Sequence, residues 1–158
     1  MSGKIPKALA TSLKACKALL AAEDYGAALR CCLEALGTPA GETHYGLHIF
    51  AGAAAAGAAG GAGNGGNSAG NGGNGAGNGG DAAEAERFLR RAAELQPGEA
   101  AAWQGLEDLH ARQHAAAAAD ASFDGAARQA AEDRWVDSLE RLAGVTAKRR
   151  KIDVRLAR

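Results

Sequence analysis

Apolar residues recur along this chain at helical spacing, and turns of polar residues, proline or glycine separate the runs. Leu9, Leu13, Cys16, Leu19 and Leu20 fall on one helical face, and Ala28, Leu29, Cys32, Leu33 and Leu36 on another. Between them the turn Glu23-Asp24-Tyr25-Gly26 leaves only a short connection, so the two helices must pack antiparallel. A third run, THYGLHIFAGAAAA, predicts a weaker helix, with Gly46, Gly52 and Gly57 inside it and His48 where a bulky apolar residue belongs. Downstream, Asp81 with Glu84 three residues on forms a capping-box pattern, and Pro97-Gly98 stops the helix that follows. The next run goes through Trp103, Leu106 and Leu109, and a last amphipathic stretch carries Trp135, Val136, Leu139 and Leu142, with ion pairs on its other face.

The spacing of small residues gives these segments a common frame. Ala85 to Ala119 is 34 residues, and so is Leu89 to Phe123. This matches the tetratricopeptide repeat (TPR), a 34-residue helix-turn-helix unit. With Ala100 at position 1, Trp103 falls at 4, Leu106 at 7, Ala119 at 20 and Phe123 at 24, and Ala127 lies just past 27. One repeat earlier, Ala85, Leu89, Ala92 and Pro97 occupy 20, 24, 27 and 32. In the first hairpin Cys16, Ala28, Cys32 and Ala35 occupy 8, 20, 24 and 27. Positions 8 and 20 are 12 apart in the first and third units, but Gly52 and Ala85 are 33 apart in the middle one. The stretch GGAGNGGNSAGNGGNGAGNGGD, with 12 glycines in 22 residues, is therefore an insertion between helix A and helix B of one repeat. Lengthening such a turn about eightfold costs roughly 2 kcal/mol of closure entropy. A Gly-Asn-Ala tract buries too little to order itself, so a disordered loop is expected.

The expected fold is all-α: a TPR-type α-α solenoid of about three helical hairpins interrupted by that loop. Residues 4–57 would hold hairpin 1 and helix A of repeat 2, and residues 58–81 the insertion. Residues 82–144 would hold helix B of repeat 2, then repeat 3 with a following helix, and residues 145–158 form a basic C-terminal segment.

Composition narrows the function. Leu, Ile, Val and Phe number 24 of 158 residues, so any core is small. Formal net charge is zero, which gives no whole-protein field to hold nucleic acid or an anionic membrane. No 18-residue apolar run exists, and Lys4, Lys7, Lys14 and Lys17 interrupt any signal-peptide core. Cys16, Cys31 and Cys32 cannot form a disulfide framework, which suits a reducing compartment. Cys16 and Cys32 fall at packing positions and read as small buried hydrophobes.

Several patterns imitate sites. Gly61-x-Gly63-x-x-Gly66 and Gly75-x-Gly77-x-x-Gly80 fit the dinucleotide fingerprint, but neither follows a strand. His44 with His48, and His110 with His114, are each four apart, without a third ligand or a HExxH glutamate, and read as packing or solvated side chains. Six of the last eleven residues are basic, four in a row from Lys148 to Lys151. They suit the polar face of a further helix, or alternatively a nuclear-import signal or phosphate contact. No catalytic residue, metal site or cofactor is expected.

The stretch RRAAELQPGEAAAWQGLEDLHAR resembles the N-terminal repeats of the large TPR subunit of the superkiller (Ski) complex. The likeness rests on Ala92 to Pro97, Ala102 to Leu106 and Leu109-His110. In the first hairpin, Lys7 to Lys17, Asp24-Tyr25, Ala27 to Leu29 and Cys31 also fit that family's opening. Glu107 at the small position 8 and His110 at the aromatic position 11 depart from the pattern. A member of the family carries many more repeats, so a fragment or truncated form is expected. The resemblance implies a cytoplasmic, non-catalytic scaffold whose partners are an RNA helicase and β-propeller subunits, supporting exosome-dependent 3′-to-5′ mRNA decay. It implies no direct nucleic-acid or membrane contact. The alternative is an independent small TPR adaptor, co-chaperone-like or other, that binds a partner peptide. A carboxylate clamp of the co-chaperone kind wants Lys and Asn near positions 5 and 9, where Gln104 and Asp108, or Leu13 and Lys17, stand instead. Asp108 would repel a carboxylate. A partner groove would run over Lys17, Gln104, Asp108 and Arg112.

Overall fold

The computed structural model describes the backbone of residues 6–60, 79–120 and 124–156. Among these residues there are seven helices and no strand: α1 (Lys7–Ala21), α2 (Tyr25–Leu36), α3 (Pro39–Glu42), α4 (Tyr45–Gly60), α5 (Gly79–Leu95), α6 (Ala100–Ala119) and α7 (Gly125–Leu156). The chain divides into two compact units, Met1–Phe88 and Leu89–Arg158, with the boundary inside α5. Most of the Gly/Asn-rich insertion, with both dinucleotide-like patterns apart from Gly80, lies outside the described residues, as does Phe123.

In the first unit α1 and α2 form the expected antiparallel hairpin. Asp24 caps α2, its carboxylate accepting the Ala27 N–H at 3.0 Å, a cap worth about 1 kcal/mol. Glu23 before it takes a left-handed φ of 58° to turn the chain. Helix α2 packs on α1 and on α4, and α1 also meets α4. The core gathers Leu9, Cys16, Cys32, Leu47, Ala51 and Phe88. Leu47 is fully buried, which stabilises the unit by about 1.5–3 kcal/mol. Despite its glycines, α4 is continuous, and its alanines Ala51, Ala54, Ala55 and Ala56 are buried. Gly57 is required: a Cβ there would lie 2.7 Å from Cγ of Tyr25, inside the ring's contact shell.

The short α3 has no counterpart among the elements the sequence predicts. Thr38 caps α3 by accepting the Gly41 N–H at 3.1 Å, with Pro39 at the first helical position. Gly41 sits against the Ala35 carbonyl so closely that no Cβ fits. His48 then takes the place of a bulky apolar residue. It is buried, its Nε2 donates to the Glu42 carbonyl at 2.8 Å, and its ring lies 6.3 Å from that of Phe88.

In the second unit α6 and α7 pair antiparallel. Helix α6 does not stop where the repeat pattern requires. Ala119, expected in helix B, instead ends α6, because the run Ala115–Ala119 is the best helix-forming sequence available and contains no breaker. Arg128 closes the helix end, its Nε donating to the Ala117 carbonyl at 3.2 Å and a terminal nitrogen to that of Asp120 at 3.0 Å. Asp124 caps α7 through the Ala127 N–H at 2.7 Å. Helix α7 is a single helix of 32 residues, continuous across the boundary expected at 144/145. Among its described side chains the buried positions are Ala131 and Ser138, with Trp135 half-buried, while Val136 and Leu139 are 44% and 39% exposed. The small residues let α6 approach closely, which the larger Val136 and Leu139 would prevent. Likewise Leu33 on α2 is 42% exposed rather than in the core. Helix α5 begins at Gly79, so Asp81 lies in its first turn instead of capping it.

Candidate functional site

The second unit holds a cleft of about 350 Å³ between the end of α5, the first half of α6 and the middle of α7. Its apolar wall comes from Ala93, Pro97, Trp103 and Leu106, and its polar edge from Arg90, Glu94, Asp137 and Arg141. Trp103 is placed there because α6 starts at Ala100, straight after the Pro97-Gly98 stop, and turns its first full helical face to α7. The Arg141 guanidinium lies 5.5 Å from the centre of the Trp103 ring, a cation-π distance. Its Nε also donates to both carboxylate oxygens of Asp137 at 3.3 Å, so its charge is held over the indole. The Trp103 Nε1–H is buried without a hydrogen-bond acceptor among the described residues. Such an unpaired buried donor costs about 1–3 kcal/mol.

The cleft owes its shape to a second tryptophan. Trp135 stacks on His114 with ring centres 5.1 Å apart and planes 25° apart. Its indole N–H donates to Glu107 Oε1 at 3.0 Å. Below it, the buried Ser138 hydroxyl donates to the Trp135 carbonyl at 2.7 Å. The stacking on His114 and the bond to Glu107 fix the register of α7 on α6 and so set where Asp137 and Arg141 emerge. They also explain why Glu107 occupies a position that the repeat pattern reserves for a small residue. His110, at the aromatic position, is buried and lines the cleft.

Gln104, Asp108 and Arg112 lie four apart along an exposed face of α6, away from the cleft-lining residues Trp103, Leu106 and His110. Arg112 bends back to donate from its Nε to the Asp108 carbonyl at 3.1 Å. Lys17 is exposed on α1, in the other unit. The structure thus brings Gln104, Asp108 and Arg112 together. Sequence reasoning missed Arg141 and Asp137 as site residues. Their signal is faint: an i, i+4 acid–base pair inside the second of two Trp-bearing apolar runs, between Trp135 and Leu142.

In the first unit, Cys16 and Cys32 are fully buried, as their packing positions predict. Burial pushes the Cys16 and Cys31 thiols up to about 11 and raises that of Cys32 as well. Among the described residues, no group of three or more His, Cys, Asp or Glu side chains is arranged to hold a metal ion. No helix among them is long and apolar enough to cross a membrane.

Taken together, the described residues define a small all-α protein of successive packed helices, consistent with a generic α-solenoid. No protein-family model, curated protein or solved structure compared with the chain matches it.

Proposed function

We propose that this chain is a non-catalytic protein-interaction scaffold built from TPR-type hairpins, acting in the manner of the large TPR subunit of the Ski complex. The observation that carries the reading is the serial packing of α2 on both α1 and α4. That is how one helical hairpin stacks on the next in repeat proteins. The cleft edged by Trp103 and Arg141 supplies a recognition surface of the right kind: one aromatic face and one held cation. Such a cleft suits a short segment of a partner protein. In this proposal the partners are an RNA helicase and β-propeller subunits, the setting is the cytoplasm, and the chemistry of mRNA decay belongs to the partners. The Lys148–Lys151 run on α7 would favour a nuclear pool as well.

A second reading is an independent small TPR adaptor for another partner peptide. It is favoured by α6 and α7, whose lengths of 20 and 32 residues depart from a regular 34-residue unit. Affinity purification of the tagged chain, with a deletion of residues 60–80 alongside, decides between the two when read by mass spectrometry. Recovery of an RNA helicase together with β-propeller proteins by both forms supports the Ski-type scaffold. Recovery of chaperones or unrelated proteins in their place supports the adaptor, and recovery of no partner by either form would sink both.

A further inference from the structure

Helices α1 and α2 bring three cysteines to one place. Cys16 of α1 is fully buried, and its Sγ lies 3.2 Å from the Sγ of Cys31 on α2. Cys32, the next residue along α2, is also fully buried, whereas Cys31 is only half-buried. The Cys31 thiol also lies 3.9 Å from the Ser12 carbonyl. All three are free thiols. A disulfide bond is about 2.05 Å long, so the two sulfurs stand only about 1.1 Å beyond bonding distance.

We propose that Cys16 and Cys31 form a dithiol modification site, which a small disulfide oxidant of the glutathione-disulfide class converts into an intramolecular disulfide joining α1 to α2. Cys31, the accessible thiol, reacts first. Its thiolate attacks one sulfur of the oxidant and breaks the oxidant's S–S bond, leaving a mixed disulfide on Cys31 and one glutathione thiolate. The Cys16 thiolate then attacks Cys31 Sγ, forms the Cys16–Cys31 bond and expels the second glutathione thiolate. The two cysteine sulfurs are oxidised by two electrons in all, and the oxidant is reduced to two thiols. The two protons given up by the cysteines end on the two glutathione thiolates. Burial holds both protein thiols protonated near neutral pH, so the pair reacts slowly and resists casual oxidation. The bond would tie the first helix of the chain covalently to the second, and a thiol reductant would release it.

The reduced full-length chain is incubated with glutathione disulfide, alkylated, digested with trypsin and analysed by mass spectrometry. The expected product is the peptide Ala15–Lys17 joined to the peptide that begins at Cys31, lighter by two hydrogens than the separate peptides and parted by dithiothreitol. Fragment-ion sequencing assigns the bond to Cys31 or Cys32 in the wild-type protein, with no variant needed. Cys32→Ser should still cross-link, and Cys31→Ser, checked for native helix content by circular dichroism, should not. A stable glutathione adduct on Cys31 with no cross-link would overturn the proposal. So would a bond that maps to Cys32, or no reaction even after about a hundredfold longer exposure than oxidises a free cysteine peptide, the delay expected from the raised thiols.

Discussion

Replacing Glu107 by alanine separates two accounts of the same residue. In the repeat pattern Glu107 stands where a small side chain lets paired helices approach, so alanine should be neutral or stabilising. In the structure its carboxylate accepts the Trp135 indole N–H at 3.0 Å and so holds α7 on α6. A hydrogen bond to a charged acceptor contributes about 1.5–3 kcal/mol, and the half-buried position of both side chains places this one near the lower end. Alanine returns about 0.4 kcal/mol of helix propensity. The net expectation is a loss of about 1 kcal/mol, with opposite sign to the pattern-based account. Urea unfolding followed by circular dichroism measures it for Glu107→Ala, Trp135→Phe and the double variant. Phenylalanine keeps the stacking on His114 but removes the donor, so the cycle isolates the hydrogen bond, with a coupling of about 1–1.5 kcal/mol. A Glu107→Ala protein as stable as the wild type, with coupling below about 0.3 kcal/mol, would refute the structural account.

Three further outcomes are expected. Gly41→Ala would drive its methyl group into the Ala35 carbonyl and break the Thr38 cap, destabilising the first unit by about 2–3 kcal/mol in chemical denaturation; a change within about 0.5 kcal/mol would contradict that packing. Cys16 and Cys31 titrate near 11 in the folded chain against an ordinary 9.0, so the folded state binds their protons more tightly. Their contribution to stability is therefore full below pH 9 and lost as pH rises toward about 11, visible as a falling urea midpoint that is shallower in Cys16→Ala. Within the interaction-scaffold reading, Arg141→Glu should reduce partner recovery at least tenfold if the cleft is the contact surface. The combined change of Gln104, Asp108 and Arg112 to alanine should do so if the outer face of α6 is; loss in neither would place the contact elsewhere on the chain.

The hairpin of α1 and α2 is legible in the sequence because a polar turn separates two clear apolar runs. The stop between α5 and α6 is legible because proline and glycine act locally, whatever packs around them. Legibility fails where alanine dominates. Ala115–Ala119 carries no apolar contrast, so nothing in it says whether α6 continues or turns, and propensity decides for the helix. On α7 the buried stripe uses Ala131 and Ser138, which look unremarkable beside Val136 and Leu139, yet close approach to α6 favours the small pair. The four-residue α3 is too short for any periodicity. The cleft is harder still, because Glu94, Trp103 and Arg141 come from three helices and only their packing makes them neighbours.

Of the 20 buried hydrophobic residues among those described, 12 are alanine. Such a core buries little hydrocarbon per residue, and that has a thermal consequence. Exposed apolar surface raises the heat capacity of unfolding and exposed polar surface lowers it, with a usual sum of about 12–15 cal/mol/K per residue. An alanine-lined interior should fall below that range. The stability curve then becomes a shallow arch instead of a dome: modest at its summit, and changing little with temperature on either side.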